Sequence, residues 1–214
     1  MNTAQLSRLR ITYAKNPALR YTGHLDLLRM WERTFRRSKL PLSYSQGFNQ
    51  QPRMQMAAAL PLGFTSQCEI IDIWLDKPES LDAVRQDLVR VLPPGIEILS
   101  INEIALKEPA LQTRIFASDY IIILKEHTHL DTIRAAIQRL LTASTLPRLR
   151  RAKPYDLRPL IQKLELVTTP EGEIQLFIQL SHRESATGRP EEVLDEMAVP
   201  MEDIQVERVA LHQN

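Results

Sequence analysis

Four arginines, Arg29, Arg33, Arg36 and Arg37, fall within about a 100° arc when the residues around them turn as a helix at 100° per residue. Guanidinium groups at that spacing present forked donors suited to successive phosphates. A solvated helix face ordinarily mixes signs, whereas here only Glu32 can pair at i,i+4 with a member of the arc, Arg36. The segment Pro41-Leu-Ser-Tyr-Ser-Gln-Gly-Phe-Asn-Gln-Gln-Pro-Arg53 follows. Its hydroxyls, its amides (Gln46 and Asn49 among them) and Gly47 fit a loop that approaches a ligand closely, and the rings of Tyr44 and Phe48 suit stacking on bases. The same residues also fit a strand bulged at Gly47 with Phe48 in the core. His24 offers a general base beside Tyr44 and Asn49, but its helical angle groups it with Leu28 and Phe35, as for a packing or capping histidine. Asp26 in the same first turn is explained by the helix dipole.

The charge around these residues is one-sided. Residues 1–53 hold ten cations (Arg8, Arg10, Lys15, Arg20, Arg29, Arg33, Arg36, Arg37, Lys39 and Arg53) against Asp26 and Glu32, while the whole chain is only +1. A basic surface of this kind attracts phosphate backbones or acidic protein faces. A second basic stretch runs from Leu146 to Leu160, with Arg148, Arg150, Arg151, Lys153 and Arg158 against Asp156 alone. Its three prolines predict an irregular functional loop, in which Arg158 either pairs with Asp156 or contacts a ligand.

Several chemistries are excluded. Cys68 is the only cysteine, so there is no internal disulfide, no iron–sulfur cluster and no ordinary structural zinc site; a small core residue is the simpler reading of it. His24, His127, His129, His182 and His212 are scattered, and the His127/His129 pair reads as loop histidines rather than metal ligands. Six glycines leave no room for a phosphate-binding glycine loop, and no cofactor is expected. Neither a secretory leader nor a membrane-length apolar run is visible, which predicts a cytoplasmic protein.

The elements that must position these groups follow from periodicity. Arg8–Tyr13 alternates as a strand, and a helix capped by Thr22 is expected to reach about Ser38. An extended segment leads to a strand over Glu69–Leu75, a helix from Leu81 to Leu92 capped by Ser80, and a strand over Ile96–Ile104. The second half repeats the pattern: a strand at Tyr120–Leu124, a helix at Leu130–Leu141, strands at Leu164–Val167 and Ile174–Leu180, a helix at Glu191–Met197 behind Pro190, and a strand at Gln205–Leu211. The order βαββαβ, twice, predicts an α+β protein of two tandem ferredoxin-like domains, residues 1–107 and 118–214, joined by a linker over 108–117.

Thr22-Gly-His-Leu-Asp26, Glu32-Arg33, Arg36-Arg37, Leu40-Pro-Leu-Ser-Tyr-Ser-Gln-Gly-Phe-Asn49, Pro52-Arg53, Leu60-Pro-Leu-Gly63 and Ser66–Asp72 together resemble the bacterial radical-SAM-linked domain of unknown function. Asp156-Leu-Arg-Pro159 and Arg189-Pro-Glu-Glu-Val193 resemble its second-half landmarks. The resemblance implies association with radical S-adenosylmethionine proteins in trans, and, because some relatives are encoded beside an RNA-processing ribonuclease, a link to RNA. Relatives tend to read Asn-Pro-His-Pro where this chain has Asn49-Gln-Gln-Pro52, so Gln51 replaces a histidine that could carry a proton.

These readings converge on a non-catalytic RNA-binding accessory protein that presents Arg20, Arg29, Arg33, Arg36, Arg37, Tyr44, Gln46, Phe48, Asn49 and Arg53 together with the Arg148–Arg158 stretch. Two alternatives stand beside it: an enzyme acting on RNA or a small molecule near His24, Tyr44 and Asn49, and a protein module whose basic face docks on an acidic partner.

Overall fold

The computed structural model describes residues 6–125, 129–182 and 187–214 of an α+β chain that divides into two compact units, 1–114 and 115–214. In the first unit the elements are β1 (Ser7–Lys15), α1 (His24–Arg37), β2 (Met54–Met56), β3 (Phe64–Leu75), α2 (Leu81–Val89), β4 (Ile96–Ile104) and the short α3 (Leu111–Arg114). The strands pair antiparallel in the order β4-β1-β3-β2.

β1 lies between two neighbours and is buried on both faces. Alternation sends Leu9, Ile11 and Tyr13 to one side, where they join Ile71 and Ile73 of β3 and Ile98 and Ile101 of β4. Both helices close over this layer. α1 contributes Leu27, Trp31 and Phe35, spaced i, i+4, i+8, and α2 contributes Val84 and Leu88. Tyr13 meets Trp31 edge-on at 4.8 Å between ring centroids, and Trp31 stacks on Phe35 at 5.1 Å. On the opposite sheet face, buried Asp72 accepts from Arg8 Nη2 at 2.6 Å and from Arg10 Nε at 2.8 Å. Lys15 is also buried and donates to the carbonyls of Phe64 and Arg20. Two cations of the basic first quarter, Arg8 and Lys15, are therefore interior, and Arg10 is partly buried.

Two helix boundaries shift from the sequence reading. Gly23, not Thr22, is the N-cap of α1, and no side chain caps it; α2 does begin on the Ser80 hydroxyl, which accepts from the Ala83 amide, but it ends at Val89, before Pro93-Pro94. The buried face of α1 is keyed on Leu27 rather than Leu28. Strand β3 starts five residues earlier than Glu69, at Phe64.

The second unit holds β5 (Ile115–Leu124), α4 (Leu130–Thr142), β6 (Pro147–Arg150), β7 (Lys153–Asp156), β8 (Ile161–Thr168), β9 (Ile174–Ser181), α5 (Pro190–Glu196) and β10 (Ile204–Gln213). Its sheet runs β10-β5-β9-β8, again antiparallel. Ile133, Ala136 and Leu140 of α4 and Val193 and Leu194 of α5 are buried, as are Tyr120, Ile122, Leu176 and Ile178 of the sheet. The stretch expected as a linker contains α3, with Leu111 fully buried, and the start of β5.

The Leu146–Leu160 stretch is not an irregular loop. Pro147–Arg150 and Lys153–Asp156 pair as a two-stranded hairpin, in which Arg150 faces Lys153. Its two-residue turn, Arg151-Ala152, has φ of 49° and 62°, the doubly left-handed form whose twist matches the strands it joins. Among the described residues no helix is long and apolar enough to cross a membrane.

Candidate nucleic-acid interface

The basic face is built by the termination of α1. Ser38 closes the helix by donating its hydroxyl to the Phe35 carbonyl, and Lys39 takes φ 62°, the left-handed step that turns a chain off a helix end. Leu40 and Leu42 are buried and Leu42 bridges Leu75 at the end of β3. From there residues 43–53 leave the sheet and return to it. The stem is pinned by Ser43 N to Trp74 O, Arg53 N to Ser43 O, Ser45 N to Gln51 O (each 2.8 Å) and a Tyr44–Pro52 bridge. The Ser45 hydroxyl accepts from the Gln51 amide at 3.0 Å. The tip, residues 46–50, is wholly exposed, with Gly47 at φ 122° supplying a turn few other residues adopt.

Phe48 stands at that tip with its side chain fully exposed. The alternative of Phe48 as core is thereby overturned: the stem hydrogen bonds register Tyr44 and Pro52 against each other and leave the five tip residues beyond the sheet. Gln46 and Asn49 share the exposed tip.

Arg36 ties α1 to this loop. Its Nη2 donates to the Gln50 carbonyl and to Gln51 Oε1, both at 3.1 Å, its Nε donates to Glu32 Oε1 at 3.1 Å, and its guanidinium lies 5.5 Å from the Tyr44 ring. Gln51 is thus a brace for the loop. The other arginines divide by role. Arg37 donates to the Val91 carbonyl at 3.2 Å and Arg29 makes an exposed pair with Asp26 at 3.4 Å. Arg33 projects from the exposed face with no side-chain partner among the described residues. Arg53 is exposed, with its guanidinium 5.2 Å from the Trp74 ring. Arg20 is committed internally: its Nε donates to the Gly63 carbonyl at 2.7 Å, and the Gly63 amide donates back to the Arg20 carbonyl.

Trp74 is a neighbour of this site that the sequence reading passed over, and the contact of Gln51 with Arg36 is one it did not foresee. Trp74 alternates with Ile71 and Ile73, so strand periodicity alone puts it on the face away from the core. For the Gln51–Arg36 contact no sequence signal exists, because it depends on how the loop folds back.

The second basic element is paired rather than free. Arg148 donates to the Glu192 carbonyl and to Asp195 at 2.7 Å, and sits 3.3 Å from Glu196. Arg150 grips Glu192 through two nitrogens, one at 3.1 Å, and also reaches the Thr187 carbonyl and the Tyr155 hydroxyl. Burial, followed by the adjoining Glu192, pushes the Tyr155 hydroxyl up to about 12. The guanidinium of Arg158 turns to the Leu141 and Ile161 carbonyls, while Asp156 accepts from the Leu146 and Arg158 backbone amides, so of the two readings of Arg158 the ion pair with Asp156 gives way to backbone capping. Arg151 and Lys153 remain exposed at the hairpin tip.

His24, Tyr44 and Asn49 are not joined by any hydrogen bond among the described residues, and His24 Nδ1 is enclosed without a partner. Cys68 is half-buried and lies 3.6 Å from the Ser66 hydroxyl. His127 lies outside the described residues, and His129 is the N-cap of α4 without a side-chain cap bond. The described residues contain no cluster of three or more His, Cys, Asp or Glu side chains able to hold a metal.

The second unit carries a cavity of about 340 Å³ lined by Phe116, Gln162, Gln179, Ser181, His182 and His212. His182 Nε2 is 2.7 Å from the Ser118 hydroxyl, and His212 pairs with Asp119 at 2.8 Å. Burial, aided by the Arg208 guanidinium, pulls the His182 imidazole down to about 4, so it is a neutral hydrogen-bonding group at physiological pH. Ser118 is fully buried, so this pairing cannot present a nucleophile to a substrate.

Among solved structures the chain is similar to one in a Cbf5–Nop10–Gar1 complex (7% identity, TM-score 0.48, 98% of this chain and 50% of that one). It is similar also to one in an archaeal box H/ACA sRNP Nop10–Cbf5 complex (8%, 0.44, 98% and 49%). A third likeness is to a putative glycine cleavage system transcriptional repressor (11%, 0.27, 98% and 99%). This chain spans about half the length of the first two, and none of these likenesses is close enough to argue from. No curated protein matches the sequence. Residues 8–190 match the family described as uncharacterized protein conserved in bacteria (DUF2344), and the chain belongs to that family.

Proposed function

We propose that this protein is an RNA-binding accessory factor, without catalysis of its own, built of two tandem ferredoxin-like domains. It works in the cytoplasm beside a radical-SAM protein in trans, in RNA modification or processing. One observation carries the reading: an exposed arginine face on α1 is braced through Arg36 to an exposed, polar loop with an aromatic tip. The arginine arc of α1 and a loop held by backbone hydrogen bonds suit a phosphate-bearing ligand, since the electrostatic term of nucleic-acid binding comes from such cations. The resemblance to the radical-SAM-linked domain supplies the direction toward RNA enzymes. Within this reading Arg33 and Arg53 meet phosphates, Arg36 holds the loop, and Arg29 and Arg37 flank the contact.

The test is the salt dependence of RNA binding. Wild-type protein should bind an RNA stem-loop with an affinity that falls steeply as salt rises, and Arg33→Ala and Arg53→Ala should each lower the slope of log affinity against log salt by about 1. Absence of RNA binding at low salt would sink the proposal and leave the acidic-partner reading in its place.

A further inference from the structure

The face just described has a feature that phosphate binding alone does not require. Phe48 is fully exposed on a loop whose stem is pinned by three backbone hydrogen bonds, the Ser45 hydroxyl and the Arg36 guanidinium. Exposing a phenyl ring to water forgoes the stabilisation that burial would give. What sets Phe48 apart from the other exposed apolar side chains is its place at the tip of a braced loop beside arginines, where a ring can stack on a base. The surroundings are basic and polar rather than apolar. Gln46, Asn49 and Gln50 share the exposed tip with Phe48, Arg36 donates to the Gln50 carbonyl, and Arg53 ends the stem beside Trp74. Arginine and amide groups around an aromatic ring are the combination that single-stranded nucleic acid meets in its binding grooves, cations for the backbone and a ring for a base.

We infer that Phe48 is a stacking platform for an unpaired base, so that the ligand of this face is single-stranded or looped RNA rather than duplex. The inference rests on the RNA-binding reading above and narrows it. In a duplex each base already stacks on its neighbours and hides its faces, so a lone ring at a loop tip gains nothing from it; an unpaired base offers a free π-face to any aromatic. The arrangement divides the work: arginines supply the sequence-independent attraction, and Phe48 supplies the preference for open strands.

The measurement compares binding of a short unstructured RNA strand with binding of the same strand annealed to its complement. Wild-type protein should prefer the open strand. Phe48→Ala, a change at a fully exposed position that leaves the fold intact, should weaken open-strand binding about tenfold while leaving duplex binding and the salt slope unchanged. Phe48→Tyr should restore the preference, and Phe48→Trp should show indole fluorescence quenched by the open strand. Equal wild-type affinity for both forms, or a Phe48→Ala variant that binds the open strand as the wild type does, would overturn the stacking role and leave phosphate binding standing. A protein that binds neither form at low salt would fail at the earlier step, the RNA reading itself.

Discussion

Arg36 and Phe48 show how much a side chain's meaning depends on what surrounds it. In the sequence Arg36 is one of four cations on an arc, set apart only by Glu32, yet it spends its donors on Glu32, Gln50 and Gln51 and serves the loop. Phe48 reads equally as core or as contact until the tip is seen to lie beyond the stem's last hydrogen bond. At the same scale His182 makes a prediction about stability. Its imidazole is held at about 4 against an ordinary 6.5, chiefly by burial and then by Arg208. Between those values the unfolded chain binds a proton that the folded chain refuses, so folding stability rises with pH there and is lost as pH falls from about 6.5 toward 4, by at most about 3 kcal/mol. Urea midpoints measured at near-neutral and mildly acidic pH should differ less for His182→Gln than for wild type. An unchanged pH slope in that variant would assign the effect to other groups.

At the scale of elements, the hairpin β6–β7 is the clearest case of pattern misread. Proline and arginine density pointed to an irregular loop, but Leu149 between Arg148 and Arg150 pairs with Pro154, and Arg148 with Tyr155, across a two-residue turn, and the strands are short enough to tolerate Pro147 and Pro154 at an edge. The turn residues gave no warning, because Arg151 and Ala152 are poor choices for positive φ, where Asn-Gly is favoured. Left-handed backbone costs a non-glycine residue about 1–2 kcal/mol. The double change Arg151→Asn with Ala152→Gly should therefore raise stability by roughly 1 kcal/mol in urea titrations. A loss of stability would mean that the turn is not left-handed at both positions. The long strands and amphipathic helices were legible because a period of two or 3.6 survives over many residues.

Across the whole molecule, the balance of charge separates two basic regions that look alike in sequence. Arg148 and Arg150 face Glu192, Asp195 and Glu196 of α5, which lie more than forty residues away in the chain. Arg33 and Arg53 have no acidic partner among the described residues. The two pairs should therefore respond in opposite ways. Arg150→Ala should destabilise the protein by on the order of 1 kcal/mol, through the stranded Glu192, with RNA affinity nearly unchanged. Arg33→Ala should leave the melting temperature alone and weaken RNA binding. Parallel thermal and binding titrations check both, and an Arg150→Ala protein that folds normally but binds RNA poorly would place the hairpin in the interface.

The sequence by itself determined the α+β alternation, the absence of an internal disulfide, and the concentration of cations in the first quarter. These are local or compositional properties, and each follows from residue spacing or residue counts. Only the tertiary structure decided which cations are spent. Arg8 and Arg10 close on Asp72 through the register of β1 with β3, Arg148 and Arg150 close on α5, and Arg33, Arg53 and Phe48 are left facing solvent. Pairing of charges depends on distances between residues far apart in the chain, and no periodicity records those distances.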